Sequence, residues 1–161
     1  MRIIRTLACA ALAASALAAA GANAEERFDA CEIFTQADAE QALGTTASSP
    51  PVNPKARRPK VVTSCTYDAF KDGKPVAATV QFRFARSDAE MDQAFEDARL
   101  KYQTKPFLLP GAEAFWNGKT GEMNVRKGRA WAVLTVGGAK PKDRDDDDAR
   151  KLALILVPKI P

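Results

Sequence analysis

The chain has 161 residues, of which 46% are hydrophobic and 27% are charged, and this length fits one ordinary globular domain. The composition argues against a wholly disordered or fibrous protein. The sequence contains no histidine. Catalytic triads with a histidine base, histidine-ligated metal sites and histidine-based pH switches are therefore excluded.

The first 24 residues have the pattern of a secretory signal peptide. Arg2 and Arg5 give a positive start, an alanine-rich apolar run covers 7–20, and the Ala-Asn-Ala of 22–24 has the small-x-small spacing of a cleavage site. The apolar run is too short for a comfortable membrane span, and no later segment is long enough. We therefore expect a periplasmic or secreted protein with no transmembrane segment after cleavage.

Cleavage would leave a single domain at 25–161 and lower the net charge from +4 to +2. This weak charge and the expected export argue against nucleic acid as a partner. Cys9 would leave with the signal, and it lies too early for a lipoprotein cleavage site. Cys31 and Cys65 remain, and in an oxidising compartment they are expected to form one disulfide.

The first elements are bounded by caps and prolines. Thr35 and Asp38 begin a short helix that Gly44 ends. A proline-rich basic loop over 45–60 follows, since four prolines in sixteen residues exclude regular structure. Strands are then predicted over 61–70 and 76–84, joined by a turn at 71–74. The second strand alternates, with Val80, Phe82 and Phe84 on one face and Gln81 and Arg83 on the other, which predicts a sheet covered on one side.

A second helix is predicted from Ser87, which forms a capping box with Glu90. Its predicted buried stripe consists of Met91, Ala94, Phe95, Ala98 and Tyr102. An apolar loop is predicted over 104–111, strands over 113–117, 123–126 and 130–136, and a last helix from the acidic run at 145–148. The order α-ββ-α-βββ-α predicts an α+β fold, with an antiparallel sheet of about five strands and helices packed on one face.

Two segments are candidate contact surfaces. The basic loop carries Lys55, Arg57, Arg58 and Lys60, which could bind an anionic envelope component or an acidic protein, or could simply be solvated. The apolar segment carries Phe107, Leu108, Leu109 and, after a short gap, Trp116. These side chains could form a patch for a partner or an apolar ligand, or could cover the end of the sheet.

Motifs for catalysis or cofactor binding are missing from the sequence. The serines fit neither S-x-x-K nor G-x-S-x-G, and the chain has no phosphate-binding loop and no dinucleotide fingerprint. Asp143 and the aspartates of 145–148 lack the spacing of a calcium loop, and they are better explained as caps of the last helix. We expect a protein that is not an enzyme, with no cofactor and no metal. An enzyme that uses carboxylates alone is the remaining catalytic alternative.

The sequence also resembles a family of small cell-envelope domains of unknown function, best represented among actinobacterial lipoproteins. The similar positions run from Cys31 to about Ile160 and comprise Cys31-x-x-Phe34-Thr35, Ala42-Leu43-Gly44, Cys65-Thr66-Tyr67, Pro110-Gly111-x-x-Ala114-Phe115-Trp116, Lys127-Gly128 and Lys151-Leu152-Ala153. The resemblance implies an envelope α+β domain whose disulfide ties the first helix to the first strand. It brings no activity and no catalytic residues, and this chain lacks the family's lipid-anchor cysteine at the cleavage site.

Two functional hypotheses follow. The first is a non-catalytic exported binding or accessory domain that acts through a protein partner or an envelope component. The alternative is a periplasmic carrier of a small hydrophobic ligand, with an apolar pocket near Trp116 and Trp131.

Overall fold

The computed structural model describes residues 29–48, 62–102 and 104–161. The helices are α1 (Ala30–Ile33), α2 (Gln36–Leu43), α3 (Asp88–Lys101) and α4 (Asp146–Leu156). The strands are β1 (Val62–Lys71), β2 (Lys74–Phe84), β3 (Thr104–Leu109), β4 (Ala112–Asn117), β5 (Glu122–Lys127) and β6 (Ala130–Gly137). Within these ranges, no helix has both the length and the apolar character needed to cross a membrane.

All six strands form one antiparallel sheet in the order β1-β2-β6-β5-β4-β3. This confirms the α+β class and nearly all of the predicted element order. The prediction of a loop over 104–111 is wrong, because Thr104–Leu109 pairs with β4 as a sixth strand. Pro106 lies in this strand without breaking the sheet, since an edge strand needs no N–H on its outer side.

The main core lies between one face of the sheet, here called the core face, and the helices α1, α2 and α4. Leu134 and Val136 of β6 point to this face, and Thr135 between them points away from it, as strand geometry requires. Leu152 and Leu156 of α4 are fully buried against it. Burial of apolar side chains contributes about 25 cal/mol per Å² of apolar surface removed from water, so the main core is expected to be the main stabilising contribution to this fold.

The opposite face of the sheet, here called the second face, carries α3. Phe95 packs its ring 4.9 Å from the ring of Phe115 and 5.8 Å from the ring of Trp131, centroid to centroid. The prediction of helices on one face therefore holds for α1, α2 and α4, whereas α3 lies on the other side. The sequence pattern of α3 marks a buried stripe but does not say which face of the sheet receives it.

The helix starts agree with the predicted caps. Thr35 and Asp38 form a complete capping box at α2, and Gly44 ends that helix with a left-handed backbone at φ 69°. At the start of α3 only half of the predicted capping box forms. The hydroxyl of Ser87 accepts a hydrogen bond from the Glu90 N–H, but the Glu90 carboxylate accepts from the Arg86 N–H and not from that of Ser87. Asp145 accepts from two backbone N–H groups at the start of α4. These contacts satisfy amide groups that have no partner inside the helix.

The predicted disulfide between Cys31 and Cys65 is present, and the two Cα atoms lie 5.1 Å apart. It ties α1 to β1. The Tyr67 hydroxyl supports the same junction by donating a 3.2 Å hydrogen bond to the Phe34 carbonyl. Burial, followed by the nearby carboxylates of Asp38 and Asp29, raises the pKa of Tyr67 and keeps it a donor.

Candidate functional site

The two segments singled out in the sequence have different outcomes. Lys55, Arg57, Arg58 and Lys60 lie outside the described residues, so their role in contact stays a prediction. The apolar segment over 107–109 is described, and strand alternation distributes its side chains between the two faces of the sheet.

Leu109 is buried, and Phe107 is half-buried against the main core. Leu108 points to the second face and is 94% exposed. Trp116 of β4 is half-buried and packs against the main core. These four side chains therefore do not form one continuous exposed patch, although Leu108 itself is open to a partner.

A cleft lies between α3 and the second face of the sheet. Its volume is about 610 Å³, within the range of small-molecule sites in proteins. Strands β2, β4, β5 and β6 form its floor, and α3 forms one wall. The cleft is lined by Gln81, Arg83, Ala94, Asp97, Ala98, Lys101, Tyr102, Phe115, Asn117, Glu122, Asn124, Trp131 and Val133.

Small residues of α3 explain why this space is open. Met91 and Phe95 are buried, but Ala94 is exposed and Ala98 is only half-buried. Each alanine contributes a single methyl group, so the C-terminal half of the helix does not fill the distance to the sheet. The predicted stripe therefore buries its two large apolar residues and leaves a cleft beside its small ones.

An ionic clamp holds α3 in place above the sheet. Arg126 of β5 bonds to Asp92 of α3 and, at 2.7 Å, to Glu113 of β4. The hydrogen bond to Glu113, opposed by some burial, raises the pKa of Arg126 further above its already high value. Together with Phe95, this clamp fixes the wall of the cleft.

Trp131 forms the centre of the floor. Its Nε1–H donates a 3.0 Å hydrogen bond to Oδ1 of Asn124. The Phe95 ring lies nearly perpendicular to the Trp131 ring, and the guanidinium carbon of Arg83 lies 5.3 Å from the Trp131 ring centroid. Trp131 is thereby held in one orientation and supports a cation within the cleft.

Tyr102 stands at the end of α3 and also lies near cations. The Lys101 ammonium is 5.6 Å and the Lys119 ammonium 6.0 Å from the Tyr102 ring centroid. Among the described residues, Arg83, Lys101 and Lys119 have no carboxylate within salt-bridge distance. Their charges are therefore available to a ligand.

The same cleft carries two carboxylates and two buried amides. Asp97 accepts a hydrogen bond from the Gln93 side chain, and Glu122 accepts one from the Thr120 hydroxyl. Asn117 and Asn124 are 3% and 5% exposed. The cleft thus offers cations, acceptors and amides around an aromatic floor.

Within the described ranges, Trp116 and Trp131 do not line a common pocket, because the two rings lie on opposite faces of the sheet. Trp116 neighbours the core face, whereas Trp131 lines the cleft. The residues that sequence reasoning missed are polar members of strands, such as Gln81 and Asn124. The alternation in β2 placed Gln81 and Arg83 on the face away from the main core, but nothing in the sequence placed α3 above them.

The acidic run has a structural explanation within the described part of the chain. Carboxylate oxygens of Asp145, Asp146 and Asp147 lie within 4.8 Å of one another. Asp145 caps α4, and Asp146 pairs with Lys105 at 2.7 Å. These contacts agree with the interpretation of the run as a helix start.

Comparison of the chain with family models, with curated proteins and with solved structures yields no match. The cleft is therefore the candidate site on its geometry and chemistry alone.

Proposed function

We propose that the chain is a non-catalytic exported binding domain of the cell envelope, and that the cleft between α3 and the second face of the sheet is its ligand-binding site. The observation that carries this proposal is the group of residues around Trp131. A half-buried aromatic ring, an arginine whose guanidinium carbon lies 5.3 Å from that ring's centroid, and two buried amides line one open space of about 610 Å³.

Export is part of the proposal and rests on the signal-peptide pattern of residues 1–24. A disulfide between Cys31 and Cys65 suits an oxidising compartment. The resemblance to the small cell-envelope domains also supports a place in the cell envelope. An accessory role would then consist of presenting the bound envelope component to a partner.

The polar lining favours a polar ligand over the hydrophobic ligand of the carrier hypothesis. Of the side chains around the cleft, Arg83, Lys101, Asp97 and Glu122 carry a formal charge. A purely apolar ligand would remove water from such groups without replacing its hydrogen bonds, which costs free energy.

Fluorescence of Trp131 tests the proposal. A Trp116→Phe variant leaves Trp131 as the single tryptophan, and it is titrated with a disaccharide acid, a dipeptide and a short-chain fatty acid. We expect a saturable change in emission with a polar probe. A second substitution, Ala98→Phe, fills the cleft and should abolish that change, whereas Leu100→Phe on the exposed side of α3 should preserve it.

A flat titration with all three probes would overturn the proposed binding site. A response to the fatty acid alone would also overturn it, in favour of the carrier of a hydrophobic ligand. Circular dichroism of each variant verifies that the fold is retained.

A further inference from the structure

We propose that the ligand of the cleft is an acidic saccharide, whose carboxylate binds Arg83 and Lys101 and whose hydroxyls bind the polar floor. This inference rests on the proposed function, because it names the ligand class of the same site. It follows from three properties of the cleft: cations that have no ion-pair partner and amide donors that have no hydrogen-bond partner among the residues the structure describes, and carboxylate acceptors with spare capacity.

The cations are placed for an anion. Arg83 is exposed, and the ring of Trp131 supports its guanidinium group on one side. Within the described ranges, no carboxylate lies within salt-bridge distance of Arg83. The edge of a guanidinium group matches the two oxygens of a carboxylate. Lys101 lines the same cleft and contributes a second positive charge.

The carboxylates of Asp97 and Glu122 are compatible with an anionic ligand that also carries hydroxyl groups. Each already accepts one hydrogen bond, at 2.8 Å, from a neighbouring side chain. An ionised carboxylate can accept about four hydrogen bonds, so each retains capacity for a hydroxyl donor. A ligand with an acid group but no hydroxyls would give these two carboxylates no donor and would place a negative charge near them.

The buried amides supply the complementary donors. Oδ1 of Asn117 accepts from the Lys119 N–H at 3.1 Å, and Oδ1 of Asn124 accepts from Trp131. Their Nδ2 groups have no hydrogen-bond partner among the described residues, and neither is sealed from solvent. These donors suit the ring and hydroxyl oxygens of a sugar.

The test compares digalacturonic acid with the same disaccharide after methyl esterification of both carboxyl groups. The two probes have the same hydroxyls and differ in charge. Binding is measured on ¹⁵N-labelled protein from the side-chain N–H signals of Asn117, Asn124 and Trp131. We expect the acid to bind at least about tenfold more tightly than the ester, with an affinity that falls as salt increases.

Arg83→Gln should lower the affinity for the acid about tenfold and leave the affinity for the ester unchanged. Arg99→Gln is the matched control, because Arg99 lies on the same helix as Lys101 but pairs with Glu96 and does not line the cleft. The Arg99→Gln variant should bind the acid with the same affinity as the wild type.

Equal binding of acid and ester at the cleft signals would overturn the acidic-saccharide assignment and leave the cleft as a binding site. Binding of neither probe would also overturn the assignment. The proposed function fails separately, when no probe class in the fluorescence titration changes the emission of Trp131.

Discussion

The guanidinium carbon of Arg83 lies 5.3 Å from the ring centroid of Trp131, on the face of the sheet that points away from the main core. The two residues are paired neighbours on β2 and β6, so the sheet register itself brings them together. This contact places a cation on an aromatic floor under the open part of α3. The candidate site therefore depends on α3 being held above the second face.

Phe95 is expected to be the main anchor of α3. It is 2% exposed and contacts the rings of Phe115 and Trp131. Phe95→Ala should lower the free energy of unfolding by about 3–5 kcal/mol, because it removes a buried aromatic ring and leaves a void. Urea unfolding measures this change. Leu100→Ala, at a position 75% exposed on the same helix, should change it by less than about 0.5 kcal/mol.

Leu108 and Leu109 test the assignment of β3 as a strand. Leu109 is 6% exposed and packs in the main core, whereas its neighbour points to the other face. Leu109→Ala should cost about 2–3 kcal/mol, and Leu108→Ala should cost almost nothing. Equal effects of the two substitutions on thermal unfolding would contradict the strand and favour a loop.

The Cys31–Cys65 disulfide should contribute strongly to stability. It closes a loop with a sequence separation of 34. Chain-entropy arithmetic gives about 3.5–4 kcal/mol for a loop of this size. The double variant Cys31→Ala, Cys65→Ala should lose this amount in urea unfolding. The oxidised wild type is the reference, and reduction of the wild type should give the same loss within about 1 kcal/mol.

Asp38 should make stability depend on acid pH. Burial alone would raise its pKa, but hydrogen bonds from Lys159 and Thr35 outweigh burial and hold the pKa of Asp38 below its usual value. The carboxylate therefore stabilises the fold fully above its unfolded pKa, near 3.9, and this contribution is lost as pH falls through the lower folded-state pKa.

Asp38→Asn should lower the free energy of unfolding by about 1–3 kcal/mol at neutral pH. The difference from the wild type should shrink between about pH 5 and about pH 2. Urea unfolding across this range measures it, with Asp72→Asn in the exposed β1–β2 turn as the control. A difference that stays constant with pH would contradict this role of the ion pair between Asp38 and Lys159, whose Oδ2 and Nζ atoms lie 2.7 Å apart.

Local signals in the sequence predicted most of the fold. Thr35, Ser87 and Asp145 mark helix starts because each supplies a side-chain acceptor where backbone N–H groups lack partners. Alternation in β2 placed Val80 in the core and Arg83 on the other face. These features depend on neighbours within a few residues, so a single sequence is enough to read them.

The features that sequence reasoning missed depend on distant parts of the chain. Pro106 and the apolar run after it look like a loop, and only pairing with β4 makes this segment a strand. The side of the sheet that α3 occupies is likewise decided by tertiary packing of Phe95. Unless α3 is known to lie over the second face, the sequence does not predict that Asn124 and Trp131 belong to one site.

A native mass spectrum of the protein, gently released from the envelope, shows whether the cleft holds a ligand in the cell. We expect a small extra mass on the wild type that denaturation removes. Leu100→Trp should retain this mass, and Ala98→Trp, which fills the cleft, should lose it. A wild-type protein that carries no extra mass, or an Ala98→Trp variant that keeps it, would contradict the assignment of the cleft as the binding site.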